Sequence, residues 1–266
     1  MNDRVKIEIK DGIADVRFVR ADKMNALDDA MFSAIVEAGL RLKEEKGVRV
    51  VVLSGEGKAF CAGLDTGNFA RTAAAGQETR PAGRLLPRTH GIANNPQYAV
   101  WVWREVPVPV IAAVHGVAFG GGFQLALGAD IRIVAPDTKM SVMEIKWGLV
   151  PDMAGTVLLR NLVREDVLRE LTYTGRIFSG EEALQMGLAT RLSATPHADA
   201  MAMAREITLK SPDAIRAGKR LLNALPGASD ADALLAESRE QDSIIGKPNQ
   251  IEAVMSQMQK RAPIYS

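Results

Sequence analysis

The sequence predicts an α/β fold that ends in an all-helical region. Segments rich in Val and Ile alternate with segments whose apolar residues recur at helical spacing, which is typical of strands joined by crossover helices. After about Ser179 only helical patterns remain. At 266 residues, with 47% apolar and 24% charged residues, the chain is long enough to bury a sizeable core.

The strands and the first helix are predicted from local composition. Between the second and third strand candidates, residues 28–45 place Phe32, Ile35, Val36 and Leu40 on one face of a helix. The strand candidates share Val and Ile enrichment and short polar breaks, and they cover residues 5–9, 14–19, 48–54, 108–114 and 131–134.

Two segments have unusual compositions. Residues 66–97 are rich in Ala, Gly, Thr, Asn and Arg with weak periodicity, so we expect a long mobile loop with some helix, which could serve as a lid. Residues 106–129 contain no charged side chain and are nominally long enough to cross a bilayer. Their two prolines and five glycines instead favour a buried strand, a tight turn and a buried helix.

The carboxyl-terminal part carries helix-start signals. Ser179 and Glu182 have the spacing of a capping box, Gly187 closes that helix, and Pro196 and Pro212 lie near two further starts. We therefore expect a core over residues 1–195 and a helical region over residues 196–266. That region would mediate oligomerisation or cover the active site, and its methionines are typical of core or subunit contacts.

Charge and cysteine content restrict the function. The formal net charge of +1 gives no reason to expect a nucleic-acid partner. A single cysteine, Cys61, excludes an internal disulfide framework and fits a reducing compartment. The first ten residues show no signal-peptide pattern, so the expected location is cytoplasmic.

Three consecutive glycines interrupt the apolar segment in the stretch HGVAFGGGFQLA, residues 115–126. No Gly-Lys-Ser/Thr follows them, which excludes a P-loop, and the sequence supplies no GxGxxG dinucleotide fingerprint. Two interpretations remain open. The glycines either permit close packing of a helix on a strand or present a backbone N–H to a developing oxyanion.

Several motifs, in order along nearly the whole chain, resemble the crotonase superfamily, also called the enoyl-CoA hydratase/isomerase family. They are NAL (25–27), FCAGLD (60–65), HGVAFGGG (115–122), MEIKWGLVP (143–151), FSGEEA (178–183) and SPDA (211–214) with Lys219. The resemblance implies a crotonase-like spiral of ββα units with carboxyl-terminal helices, assembled as a homotrimer or a dimer of trimers. It also implies an acyl-CoA substrate, with no separate cofactor because coenzyme A is part of the substrate.

By the same resemblance, the backbone N–H groups of Leu64 and Gly121 form an oxyanion hole for a thioester enolate. The Ala62 carbonyl would face the adenine of CoA, while Lys23 and Lys219 are candidates for its phosphates. Lys260 is similar to a lysine that reaches the nucleotide of a neighbouring subunit. The complete set expected to bind CoA is Ala62, Gly63, Asp65, Lys23, Lys219 and Lys260.

The catalytic carboxylates depart from the hydratase pattern. Hydratases of this family place a glutamate three residues after the donor glycine and a second one at the position of Glu144. Here the first position is Gln124, whose amide cannot exchange a proton near pH 7, although it could hold a water or the substrate. Efficient hydration by paired glutamates is therefore not expected.

Asp152 supplies another carboxylate, eight residues after Glu144. Dienoyl-CoA isomerases of the superfamily have a similar spacing of glutamate and aspartate, which favours a proton-shuttling isomerase. The alternative for Asp152 is a structural role as a turn residue or helix N-cap. Enoyl-CoA hydratase is the alternative function, followed by a dehalogenase-like enzyme and by a non-catalytic member that binds CoA or RNA.

Overall fold

The computed structural model describes residues 3–65, 67, 83 and 85–266. A mixed six-stranded sheet has the order β1-β2-β3-β4-β6-β8; β1 is antiparallel to β2, and the other neighbours are parallel. Strands β5 and β7 form a separate parallel pair. The strands are β1 (Val5–Lys10), β2 (Ile13–Phe18), β3 (Val50–Gly55), β4 (Val110–Val114), β5 (Val117–Phe119), β6 (Ile131–Val134), β7 (Lys139–Ser141) and β8 (Arg191–Leu192).

Helices connect the strands and continue beyond the last one. They are α1 (Asp29–Glu44), α2 (Asn95–Glu105), α3 (Gly121–Leu127), α4 (Gly155–Leu159), α5 (Glu165–Thr174), α6 (Gly180–Gln185), α7 (Pro196–Thr208), α8 (Pro212–Ala224), α9 (Asp230–Ile244) and α10 (Pro248–Met258). Two short 3-10 helices cover Ala21–Lys23 and Glu144–Trp147.

Strands β2, β3 and β4 are buried on both faces, as expected for central strands with parallel neighbours, whereas the edge strand β1 is largely exposed. Val51 and Leu53 of β3 pack into the core that contains α1 and α2. The alternate residue Val52 packs on the opposite face, against Ala200 and Ala204 of α7. The predicted boundary after residue 195 therefore separates the sheet from one of its own covering helices, so α7 belongs to the core.

Local sequence signals predicted most elements well. All five predicted strands are present with ends within two residues, and the predicted helix 28–45 is α1, capped by Asp28 Oδ1, which accepts a 2.7 Å hydrogen bond from Met31 N. The capping box of Ser179 and Glu182 is confirmed. Helix α2 begins inside the predicted loop 66–97, most of which lies outside the described residues.

The uncharged segment 106–129 forms β4, β5 and the whole of α3, which are two strands followed by a turn and a helix. Among the described residues, no helix has the length and apolarity needed to cross a membrane.

Candidate functional site

Two chain segments run side by side at the centre of the candidate site. Phe60 N donates to His115 O at 3.0 Å, Cys61 N to Val117 O at 3.1 Å, and Phe119 N to Cys61 O at 3.2 Å. These bonds align the FCAGLD segment with β5, so the turn after Cys61 lies against the glycine turn that starts α3.

The two expected oxyanion donors lie in these adjoining turns. Leu64 is held because Leu27 N donates to Gly63 O at 2.8 Å and Asp65 N donates to Leu27 O at 3.0 Å. Gly121 is the first residue of α3, where a backbone N–H has no partner within the helix. A Cβ placed on Gly63 would lie 3.7 Å from Gly121 N. Neither Leu64 N nor Gly121 N donates a hydrogen bond to a residue of the described ranges.

Glycine is required at positions 120 and 122 for different structural reasons. Gly120 has φ 49° and ψ −117°, a conformation that side chains disfavour. A Cβ on Gly122 would lie 2.1 Å from Cys61 O. Close packing therefore explains Gly122, whereas Gly121 keeps a backbone N–H without a partner among the described residues, and its use by an oxyanion stays a prediction.

Gln124 is buried and bridges three parts of the site. Its Oε1 accepts from Met153 N and from Gly155 N, both at 2.9 Å, while its Nε2 donates to Glu144 Oε1 at 2.6 Å. The predicted role of holding a water or substrate does not match this geometry, because the amide instead joins α3 to Glu144 and to the turn before α4.

Glu144 begins a 3-10 helix next to the glycine turn. Its Oε1 would lie 3.3 Å from a Cβ placed on Gly120, and its buried Oε2 has no hydrogen-bond partner among the described residues. Burial raises the pKa of the Glu144 carboxyl, and the negative charge of Asp152 raises it further, while the hydrogen bond from Gln124 opposes the increase. Glu144 is thus suited to accept and return a proton nearer to neutral pH than an ordinary glutamate.

Asp152 is exposed just before the turn that Gln124 holds. Its negative charge acts to raise the pKa of Glu144. Trp147, at the end of the same 3-10 helix as Glu144, is 44% exposed.

Lys219 is a structural residue, and the prediction that it contacts CoA phosphates is wrong. Its Nζ is buried and donates to Trp103 O at 3.0 Å, to Val108 O at 2.8 Å and to Asp130 Oδ2 at 2.8 Å. An ammonium has three donors, so this arrangement leaves none for a phosphate.

The other residues expected to bind CoA lie around the Leu64 turn or at the surface. Asp65 pairs with Arg20 at 2.7 Å and accepts from Gly67 N at 2.9 Å, and both partners are among the groups that hold its pKa below the usual value. Lys23 is exposed and close enough to Asp65 to affect that pKa. Ala62 is half-buried, and Lys260 is exposed in the chain segment after α10.

Three contributors to the site were not predicted. Arg20 joins the Leu64 turn to the start of α1 through Asp65 and Asp28, and no local pattern distinguishes it from a surface arginine. Met153 and Gly155 act through their backbone N–H groups. The residue type at position 155 is a weak sequence signal. A Cβ there would lie 2.6 Å from Gln124 Oε1, so the close approach requires a glycine.

Comparison with known proteins agrees with this geometry. The family model for enoyl-CoA hydratase/isomerase matches residues 8–266. A Mycobacterium leprae protein named "Probable enoyl-CoA hydratase" is 32% identical, with 96% of each chain covered. Mouse mitochondrial methylglutaconyl-CoA hydratase is 28% identical over 96% of this chain and 79% of its own. The crystal structure of a Bacillus anthracis enoyl-CoA hydratase superposes with a TM-score of 0.88 at 25% identity, covering 98% of each chain. The chain with this paired glycine turn and half-buried glutamate belongs to the enoyl-CoA hydratase/isomerase family.

Proposed function

We propose that this enzyme moves a double bond within an unsaturated acyl-CoA by proton transfer through an enolate. The observation that carries the proposal is the buried Glu144 carboxyl. Its Oε2 has no partner among the described residues, and it lies beside a turn that offers the unengaged N–H groups of Leu64 and Gly121.

The chemistry follows from these groups. The Glu144 carboxylate removes a proton from an activated carbon of the acyl chain, and the electron pair of that C–H bond delocalises onto the thioester oxygen. The N–H groups of Leu64 and Gly121 stabilise the resulting enolate oxygen. Return of the proton to a different carbon, directly from Glu144 or relayed from Glu144 through Asp152, gives the isomer and regenerates the Glu144 carboxylate.

Hydration of a 2-enoyl-CoA is the second candidate, and the names of the relatives favour it. Water activation by two carboxylates, however, has only one of its groups here, since position 124 is an amide already bonded to Glu144. Asp152 would have to replace the missing carboxylate from its exposed position. The geometry therefore supports isomerisation more than hydration.

The same proposal includes the expected assembly and location. Helices α8–α10 expose apolar side chains, and α9 buries no residue in the single chain. A groove of about 420 Å³ is lined by residues of α8–α10. We assign these surfaces to contacts within a cytoplasmic homotrimer or dimer of trimers, in which Ala62, Lys23 and a neighbour's Lys260 would contact CoA. Light scattering after size exclusion would test the assembly.

The type of reaction can be tested by measuring the turnover of CoA thioesters that differ in their acyl group. The purified enzyme would be assayed with 3-enoyl-, 3,5-dienoyl-, 2-enoyl- and 4-chlorobenzoyl-CoA, with products identified by chromatography and mass. We expect conjugation of the 3-enoyl or 3,5-dienoyl thioester with a higher kcat/KM than hydration of the 2-enoyl thioester. Faster hydration would assign the enzyme as a hydratase, and chloride release would assign a dehalogenase.

A further inference from the structure

The contacts of Gln124 indicate a function other than binding water or substrate. Each end of the amide is engaged by a different part of the site, with Oε1 on Met153 N and Gly155 N and Nε2 on Glu144 Oε1. Between the two backbone donors, Ala154 adopts a left-handed conformation with φ 66°, which is uncommon for a residue with a side chain. The Gln124 oxygen bonds on both sides of this strained residue and so holds the turn.

We propose that Gln124 is a positioning residue that fixes which oxygen of Glu144 transfers the proton and at what pH it does so. The amide occupies Oε1, which leaves Oε2 as the basic oxygen. This inference rests on the proposed proton-transfer function and extends it to a residue that does not itself exchange protons.

A second consequence concerns the ionisation of Glu144. An N–H donor stabilises the carboxylate relative to the neutral acid, so the amide moderates the increase in pKa that burial produces. Without the amide, Glu144 would be protonated over a wider pH range and would be a base over a narrower one.

Charged groups in the described part of the chain also bear on the Glu144 carboxyl. Asp152, on the turn before α4, raises its pKa. Lys146, on the same 3-10 helix as Glu144, lies with its ammonium 5.7 Å from the centre of the Trp147 ring. Helix α5 packs against this 3-10 helix, and charged side chains at its start pair with one another at the surface: Arg164 with Asp166, and Arg169 with Glu165. The Gln124 amide is thus a neutral group in direct contact with Glu144. Its removal should raise the pKa of Glu144 without changing the net charge around it.

Gln124→Met tests the inference, because methionine has nearly the same length and lacks the amide. Infrared difference spectroscopy would follow the carbonyl stretch of the protonated Glu144 carboxyl across pH, with Glu144→Gln used to assign the band. A hydrogen bond to a charged group corresponds to a shift of about one to two pH units, so we expect the Gln124→Met midpoint to move upward by that amount. The acid limb of kcat/KM should move with it.

Gln97→Met is the matched control. Gln97 also accepts backbone and side-chain hydrogen bonds, at the start of α2, and makes none to Glu144. This variant should lose stability but keep the wild-type Glu144 midpoint. An equal shift in the control would overturn the inference.

A second substitution covers the case in which Gln124→Met does not fold. In Gly155→Ala the new Cβ would lie 2.6 Å from Gln124 Oε1 and 2.7 Å from its Cγ, which displaces the same side chain. The Glu144 midpoint should again move upward, and a wild-type midpoint in the folded variant would refute the inference. The infrared titration needs no turnover, so failure of the proposed isomerase activity would be distinguished from failure of the positioning role.

Gln124→Glu provides an independent test. It would place a carboxylate oxygen at the 2.6 Å contact with Glu144 Oε1, where the two groups can coexist only by sharing a proton. We expect isomerisation to fall, because the shared proton weakens Glu144 as a base, and crotonyl-CoA hydration to rise at least tenfold, because the second carboxylate of the hydratase pattern is restored. Isomerisation at the wild-type rate in the folded variant would contradict the positioning role of Gln124.

Discussion

Removing one backbone donor while keeping the helix tests the oxyanion hole. Gly121 is the first residue of α3, a position where proline is well tolerated, so Gly121→Pro deletes the N–H with little cost to the helix. Loss of one of two oxyanion donors typically lowers kcat by about 10²- to 10³-fold, or about 2.7–4 kcal/mol. We expect that loss in the isomerisation assay, with part of the acetoacetyl-CoA binding retained through Leu64 and the CoA contacts.

Gly121→Ala is the matched control, because alanine retains the N–H. Its Cβ would lie 2.7 Å from Met153 Sδ and 2.9 Å from Leu27 Cδ1, and both atoms belong to flexible side chains. The cost in stability should be about 1–3 kcal/mol, with kcat within roughly tenfold of the wild type. A folded Gly121→Pro enzyme as active as Gly121→Ala would refute the assignment of this donor.

Further predictions concern titratable groups. The kcat/KM for isomerisation should fall as pH drops through the raised pKa of Glu144, since the base is lost on protonation; a flat profile down to the usual range of a glutamate would contradict this. Asp152→Asn should reduce isomerisation by about 10²-fold and shift the acid limb to lower pH, because a charge that raises the Glu144 pKa is removed; unchanged rates would make Asp152 a turn residue only. Burial raises the pKa of Cys61 to about 12, so a thiol reagent should label the enzyme only on unfolding, and rapid labelling of the native enzyme would contradict the buried position.

Local sequence patterns predicted those strands and helices whose own residues carry a clear signal. Strands β1–β4 and β6 and helix α1 contain enough Val, Ile or periodic apolar residues to be identified. Strands β5 and β7 have three residues each, and their pairing depends on distant partners. Helix α2 was missed although it carries a signal, since Asn94 and Gln97 form a capping box ahead of it.

Side-chain partnerships in the site could not be predicted from local sequence. The motifs predicted that Leu64, Gly121 and Glu144 belong to one site, and the structure places the Gly63 turn beside Gly121 and Glu144 beside Gly120. The contact of Gln124 with Glu144 joins residues 20 positions apart through a particular pair of side-chain conformations. Lys219 was misassigned because its ion-pair partner, Asp130, lies 89 positions away.

The Glu144→Gln variant tests most directly whether Glu144 moves the proton above a preformed oxyanion hole. The substitution is nearly isosteric, and the new amide oxygen can still accept from Gln124 Nε2, so the turn and the backbone donors should be retained. We predict that kcat for the isomerised thioester falls by at least about 10²-fold while the Kd for acetoacetyl-CoA stays within about threefold of the wild type. A Glu144→Gln enzyme that isomerises its substrate at the wild-type rate would contradict this mechanism.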